Sequence, residues 1–226
     1  MRVYYYTKEE HALENIEYKR IKISLLEELN DPFELLAMNL RDRHLRAQIE
    51  IARSVIASKF GVLCFSTNRH EPLLWSHYAD KHNGICLGFD IPGEKLASIT
   101  YIKNRIEEQL ILQTNPITLN DEIFEKFLTS KYSGWEYEKE VRAQIELNRP
   151  DPRGFYFTEF DTDLILREVL IGVRSKLNAT DLASKVAHYN NQIEIKNCRI
   201  AFKTFSVVDN RAKPIYVHTP VSNQLK

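Results

Sequence analysis

Residues 133–148 read SGWEYEKEVRAQIELN, and the assignment of this stretch decides the fold. From Trp135 to Leu147 the side chains alternate in character. One set holds Trp135, Tyr137, Lys139, Val141, Ala143, Ile145 and Leu147; the other holds Glu136, Glu138, Glu140, Arg142, Gln144 and Glu146. A helix would scatter both sets around its circumference, whereas strand side chains alternate faces with period two, so the spacing predicts a strand. Glu136, Glu138 and Glu140 then share one face within roughly 7 Å of their neighbours, and they repel unless something compensates them. Two readings fit. The face is solvated, as one face of an antiparallel sheet commonly is, or it is the floor of a cleft in which a carboxylate meets a substrate.

The flanking sequence supplies the other elements. RVYYYT (2–7), GVLCFST (61–67), GICLGFDIP (84–92), ASITYIK (97–103), EVLIGV (168–173) and CRIAFKTFSVV (198–208) have the β-branched and aromatic content of strands. Ala12, Leu13 and Ile16 fall at helical spacing, as do Ile49, Ala52, Ile56 and Phe60 within a helix expected over 35–60. EPLLWSHYADKH, residues 105–131 and NATDLASKVAHYN, with Asn178 or Thr180 as its cap, are also expected to be helical. Between the first two helices, IKISLLEELNDPFE ends in an Asn30–Asp31–Pro32 break. Helices and strands follow one another without βαβ alternation, which favours the α+β class: a mixed, mainly antiparallel sheet with helices packed outside. No repeat, low-complexity tract or Gly/Ser linker interrupts the chain, so residues 1–226 are expected to form a single domain.

Lys+Arg and Asp+Glu both number 31, so the formal net charge is zero and a polyelectrolyte gripped across the whole surface is not indicated. Cys64, Cys86 and Cys198 are isolated, with no CxxC spacing, and read as free thiols of a reducing cytoplasm. The start MRVYYYTKEEH lacks the apolar run of a signal peptide, and no stretch approaches the ~20 apolar residues of a membrane span, so a cytoplasmic protein without a membrane partner is expected.

Several constellations bear on chemistry. Tyr4, Tyr5 and Tyr6 are core material or a platform for a flat ring. Ser66 and Thr67 close a strand, where hydroxyls bind a sugar or cap the next element. His70, His77 and His82 match no familiar zinc spacing, and no metal is expected. No GxGxxG, P-loop or GxSxG motif occurs. The basic run Arg41, Arg43, His44, Arg46 and Arg53 is a solvated helix face or a contact to phosphate.

In order, the chain carries YYY, NDPFE, LWSHYA, GICLGFD and WEYEKEVR, and over residues 3–174 it resembles an uncharacterised bacterial family with these signatures. It is more distantly similar to ADP-ribosyltransferases, particularly nucleic-acid-modifying toxin types. The shared order is an aromatic first strand, hydroxyls at the end of a middle strand, and a late Glu-x-Glu strand. That resemblance implies a cleft-containing transferase domain that uses NAD as substrate. It makes Glu140 the catalytic glutamate and Glu138 the first Glu of Glu-x-Glu. Tyr5, Tyr6, Thr7, Ser66 and Thr67 become NAD-binding residues, and Arg142 meets the diphosphate or holds Glu140. Tyr5 stands where the family usually has His or Arg.

In this reading Glu140 stabilises the oxocarbenium-like ribose formed as nicotinamide leaves, and Glu138 accepts a proton from the incoming nucleophile. The resemblance implies an intracellular toxin or defence effector with a nucleic-acid or protein acceptor, and leaves room for an antitoxin. The competing expectation is a non-catalytic module that contacts nucleic acid or protein through the Arg41–Arg53 helix. A metal-dependent nuclease ranks third, because only one acidic strand is present.

Overall fold

A computed structural model of the chain describes residues 1–106, 126 and 128–220. These gather into two compact units, each built from separate stretches of chain. The first comprises Met1–Lys22, Phe65–Glu94 and Phe157–Lys226; the second comprises Ile23–Cys64 and Lys95–Tyr156. With mainly antiparallel sheet pairing and helices interspersed irregularly among the strands, the fold is of the α+β class.

The first unit is built on strand β1 (Arg2–Thr7), which runs antiparallel to β5 (Ile85–Asp90) from Arg2↔Asp90 to Thr7↔Ile85. Next to β5 lies β11 (Ile165–Ile171), antiparallel, and then β12 (Ile193–Ile200), parallel to β11. β13 (Val207–Asp209) and β14 (Tyr216–His218) pair with opposite halves of β12. The near-continuous apolar sequence of β5 and β11 has its physical reason here: Ile85, Leu87, Phe89, Leu166, Leu170 and Ile171 are all fully buried. Each such side chain contributes about 1.5–3 kcal/mol by leaving water. Helix α1 (Glu9–Tyr18) buries Ala12 and Ile16, and α3 (Pro72–Tyr78) buries Leu74 and Trp75. Two glycines let backbones approach: a Cβ on Gly84 would lie 2.2 Å from the Thr7 carbonyl oxygen, and one on Gly172 would lie 2.3 Å from that of His82.

In the second unit, helix α2 (Arg43–Lys59) turns Leu45, Ile49 and Ile56 inward, where they meet Leu26, Leu35, Met38, Val62 and Leu128. Its sheet pairs β3 (Ser24–Leu25) with β4 (Phe60–Ser66), whose first five residues belong to this unit, and β6 (Ala97–Ser98) with β9 (Glu140–Glu146). A separate parallel pair joins β7 (Thr100–Ile102) to β8 (Ser130–Tyr132), and in the first unit β2 (Arg20–Lys22) pairs antiparallel with β10 (Phe157–Glu159).

Four expectations are corrected. The helix expected from residue 35 begins at Arg43, because Asp42 caps it: its Oδ1 accepts the Leu45 N–H at 2.8 Å. The strand expected over 135–147 begins only at Glu140, since residues Ser133–Glu138 form a 3-10 turn that ends on Lys139 at φ 44°. The strand expected over 198–208 is instead a hairpin, with residues 201–206 as its loop between β12 and β13. NATDLASKVAHYN begins as a 3-10 turn, Ala179–Leu182, before the short helix Ala183–Val186, with Asn178 as the expected N-cap. Most of the helix expected over 105–131 lies outside the described residues, and its last two positions belong to β8.

Candidate functional site

Of the glutamates in the opening stretch, Glu138 and Glu140 are buried, whereas Glu136 and Glu146 are exposed. The 3-10 turn folds back at Lys139, whose N–H donates to the Glu136 carbonyl at 3.2 Å, and the reversal aims Glu138 and Glu140 at one cation. Lys131 Nζ, from β8, donates to Glu138 Oε2 at 2.6 Å and to Glu140 Oε2 at 2.7 Å, and stands 3.5 Å from Glu34 Oε1. The other oxygen of Glu140 accepts from Arg142 Nε at 2.6 Å. Arg142 also donates to Glu34 through Nη1 at 3.0 Å and Nη2 at 2.7 Å, and to the Leu128 carbonyl at 3.1 Å. All five charged residues are buried, none more than 6% exposed.

Backbone geometry positions this cluster. β6 pairs Ala97 with Arg142, the Ile99 N–H donates to the Glu140 carbonyl at 3.1 Å, and the Glu140 N–H donates to the Tyr101 hydroxyl at 2.8 Å. Glu34 arrives by way of the NDPFE turn. The Asp31 carboxylate accepts the Phe33 N–H at 2.9 Å, the Asp31 carbonyl accepts the Glu34 N–H at 3.0 Å, and Leu35 then takes a left-handed φ of 60°. An aspartate that bonds backbone groups just ahead of it is a local turn device, which explains this residue pattern.

Electrostatics set the chemistry available. Burial raises the Glu140 carboxyl pKa, but Arg142 and Lys131 outweigh burial and bring it down to about 2. Glu140 is therefore an anion at any physiological pH, suited to stabilising positive charge and unsuited to proton transfer near neutrality. Burial also depresses Lys131, yet Glu140 and Glu138 hold it above its ordinary value. Among the described residues the cluster has three carboxylates to two cations, leaving one excess negative charge when all are ionised. Burial and the Glu140 charge push the neighbouring Cys64 thiol well up, so it is no ready thiolate nucleophile. Beside the cluster, a cavity of about 250 Å³ is lined by Phe33, Leu36, Ile102, Arg105, Ser130 and Lys131, among others.

The remaining expected site residues sit in the first unit. Tyr5, Tyr6 and Thr7 lie on β1, opposite Leu87, Cys86 and Ile85. The Tyr6 hydroxyl donates to the Asn68 carbonyl at 2.7 Å, and its ring meets Trp75 edge-on at 5.3 Å. Tyr5 meets Phe65 edge-on at 6.1 Å. Ser66 Oγ accepts the Asn68 N–H at 2.9 Å, which makes Ser66 a turn former, while Thr67 is exposed. The register Tyr4↔Ser66 joins β1 to the end of β4. Sequence reasoning named Glu138, Glu140 and Arg142 but missed Lys131 and Glu34. The available signal was a charge imbalance, since Glu138 and Glu140 against Arg142 alone leave one carboxylate without a cation.

Among the described residues, no group of three or more His, Cys, Asp or Glu side chains is arranged to hold a metal ion, and no helix is long and apolar enough to cross a membrane. Residues 74–143 match the model of a family described as a protein of unknown function (DUF2971). That segment includes LWSHYA, GICLGFD and WEYEKEVR, whereas YYY and NDPFE precede it. No curated protein and no solved structure matches the chain.

Proposed function

We propose that the protein is an NAD-dependent ADP-ribosyltransferase with Glu140 as its catalytic carboxylate, passing ADP-ribose to a macromolecular acceptor as an intracellular toxin or defence effector. The observation that carries this reading is the Glu140 carboxylate, kept ionised in a buried cluster with one carboxylate more than its cations. In the reaction, the bond between the ribose C1′ and the nicotinamide nitrogen breaks. Nicotinamide leaves with the electron pair, and an acceptor oxygen or nitrogen bonds to C1′ as its proton is lost. Between those events the ribose carries positive charge, and a fixed anion in a low-dielectric site favours that state. The cavity beside Lys131 offers room for a flat ring, which further supports the reading.

The test is nicotinamide release from NAD, measured by chromatography, for the unmodified protein and Glu140→Gln. The substitution leaves two carboxylates facing two cations, so the fold is retained and release falls by roughly two orders of magnitude or more, as for loss of an electrostatic catalyst. Absence of release by the unmodified protein, with protein and nucleic-acid acceptors supplied, overturns the reading.

A second reading, a non-catalytic module, is favoured by the exposed side chains of Arg41, Arg43 and His44, just before and at the start of α2. Arg46 is less available, since its guanidinium bonds the Leu40 and Arg41 carbonyls at 2.7 and 3.0 Å.

A further inference from the structure

The hairpin joining β12 to β13 carries two apolar side chains that pack on almost nothing: Phe202 is 86% exposed and Phe205 fully exposed. Its loop is nonetheless ordered by its own bonds, with the Ala201 N–H on the Ser206 carbonyl at 2.9 Å and Thr204 Oγ1 against Ser206 Oγ at 2.7 Å. Next to it lies a groove of about 520 Å³ lined by Arg69, Arg199, Lys203, Arg211, Asp209 and Phe202, among others. The floor is braced. His70 and Val207 exchange two bonds, N–H to carbonyl at 2.9 Å and Nδ1 to carbonyl at 2.7 Å, and Arg69 grips Asp209 at 2.9 and 3.2 Å. Four cations face one carboxylate here, in a chain whose formal net charge is zero.

We infer that this groove binds single-stranded nucleic acid, with phosphates along Arg199, Lys203 and Arg211 and bases stacked on Phe202 and Phe205. Sequence-tolerant single-strand binding combines a cationic groove with aromatic side chains that offer a face to a base. Phe202 is built for that task. The Arg199 guanidinium covers one side of its ring at 4.3 Å, an arrangement that continues naturally into an arginine–ring–base stack. The same contact argues against insertion into a bilayer, because Phe202 would carry that cation with it toward the hydrocarbon. The inference is independent of the transferase reading and of the α2 cations.

The test is fluorescence anisotropy of a labelled oligo(dT) and a labelled oligo(U), without NAD. Neutralising about three phosphates gives a salt slope of roughly −2, so affinity falls about 20-fold between about 50 and about 200 mM salt. Phe202→Ala with Phe205→Ala weakens binding by about 25-fold or more without flattening that slope, since each of the two base stacks contributes about 5-fold or more. Lys203→Glu with Arg211→Glu weakens binding and flattens the slope. Both pairs lie on the exposed hairpin and its rim, and circular dichroism checks their fold. The inference fails if neither oligonucleotide binds at the lower salt, if neither pair of substitutions matters, or if a duplex of equal length binds as tightly. It also fails if the phenylalanine pair abolishes binding to phosphatidylserine-containing vesicles while no oligonucleotide is bound.

Discussion

Arg142 and Glu34 lie 108 residues apart in the chain and meet through two parallel hydrogen bonds of 3.0 and 2.7 Å. The fork of the guanidinium matches the carboxylate, and Arg142 still has Nε left for Glu140. One arginine thereby fixes the NDPFE turn to β9. Buried charges of this kind are costly to leave unpaired, and the costs of removing each member can be ranked.

Lys131→Met leaves three carboxylates facing a single cation and is expected to cost about 3–5 kcal/mol. Glu140→Gln balances the charges and forfeits only charge-assisted bonds, about 1–3 kcal/mol. Urea denaturation of the two variants checks the order, and equal costs would mean that the charge count is irrelevant.

Acid should loosen the same cluster. Glu140 has a pKa of about 2 in the folded chain, below its ordinary value, so the unfolded chain binds the proton more readily. Its stabilisation is fully present above about pH 5 and is lost as pH falls toward 2. Urea midpoints measured down this range should decline for the unmodified protein, with a shallower decline for Glu140→Gln.

Tyr101→Phe removes the hydroxyl that accepts the Glu140 N–H. Stability should drop by about 1–2 kcal/mol, the cost of an unsatisfied donor. Far-UV circular dichroism should stay unchanged. A neutral effect would show that another acceptor replaces the hydroxyl.

Gly84→Ala places a methyl group 2.2 Å from the Thr7 carbonyl oxygen and 2.9 Å from the Ala79 Cα, both backbone atoms with little room to yield. A loss above about 2 kcal/mol is expected. Gly93→Ala, with nothing within 4 Å, serves as the near-neutral control in the same thermal melts.

GICLGFD and EVLIGV could be read directly because burial on both faces selects continuous apolar residues, and RVYYYT by its aromatic and β-branched content. The glutamate stretch misled because Trp135 to Glu138 keeps a period of two while its backbone turns, and nothing local announces the left-handed Lys139. Residues 140–146 kept their alternation, yet Gln144 and Glu146 are exposed while Glu140 and Arg142 are buried. That difference comes from Lys131 and Glu34, partners that local pattern does not reveal. The hairpin loop was hidden for the opposite reason: Phe202 and Phe205 look like core residues and are not.

The division of the chain also imposes an order on its birth. Every stretch of the second unit has been translated by Tyr156, whereas the first unit draws its strands from before, between and after those stretches. β1 is translated before any stretch of the second unit, but the β11 and β12 segments that extend its sheet lie beyond residue 164. A nascent chain on the ribosome can thus close the ion-pair cluster while the first sheet still awaits its remaining strands. A chain released after residue 156 would carry every stretch of the second unit but would lack β11 and the strands beyond it.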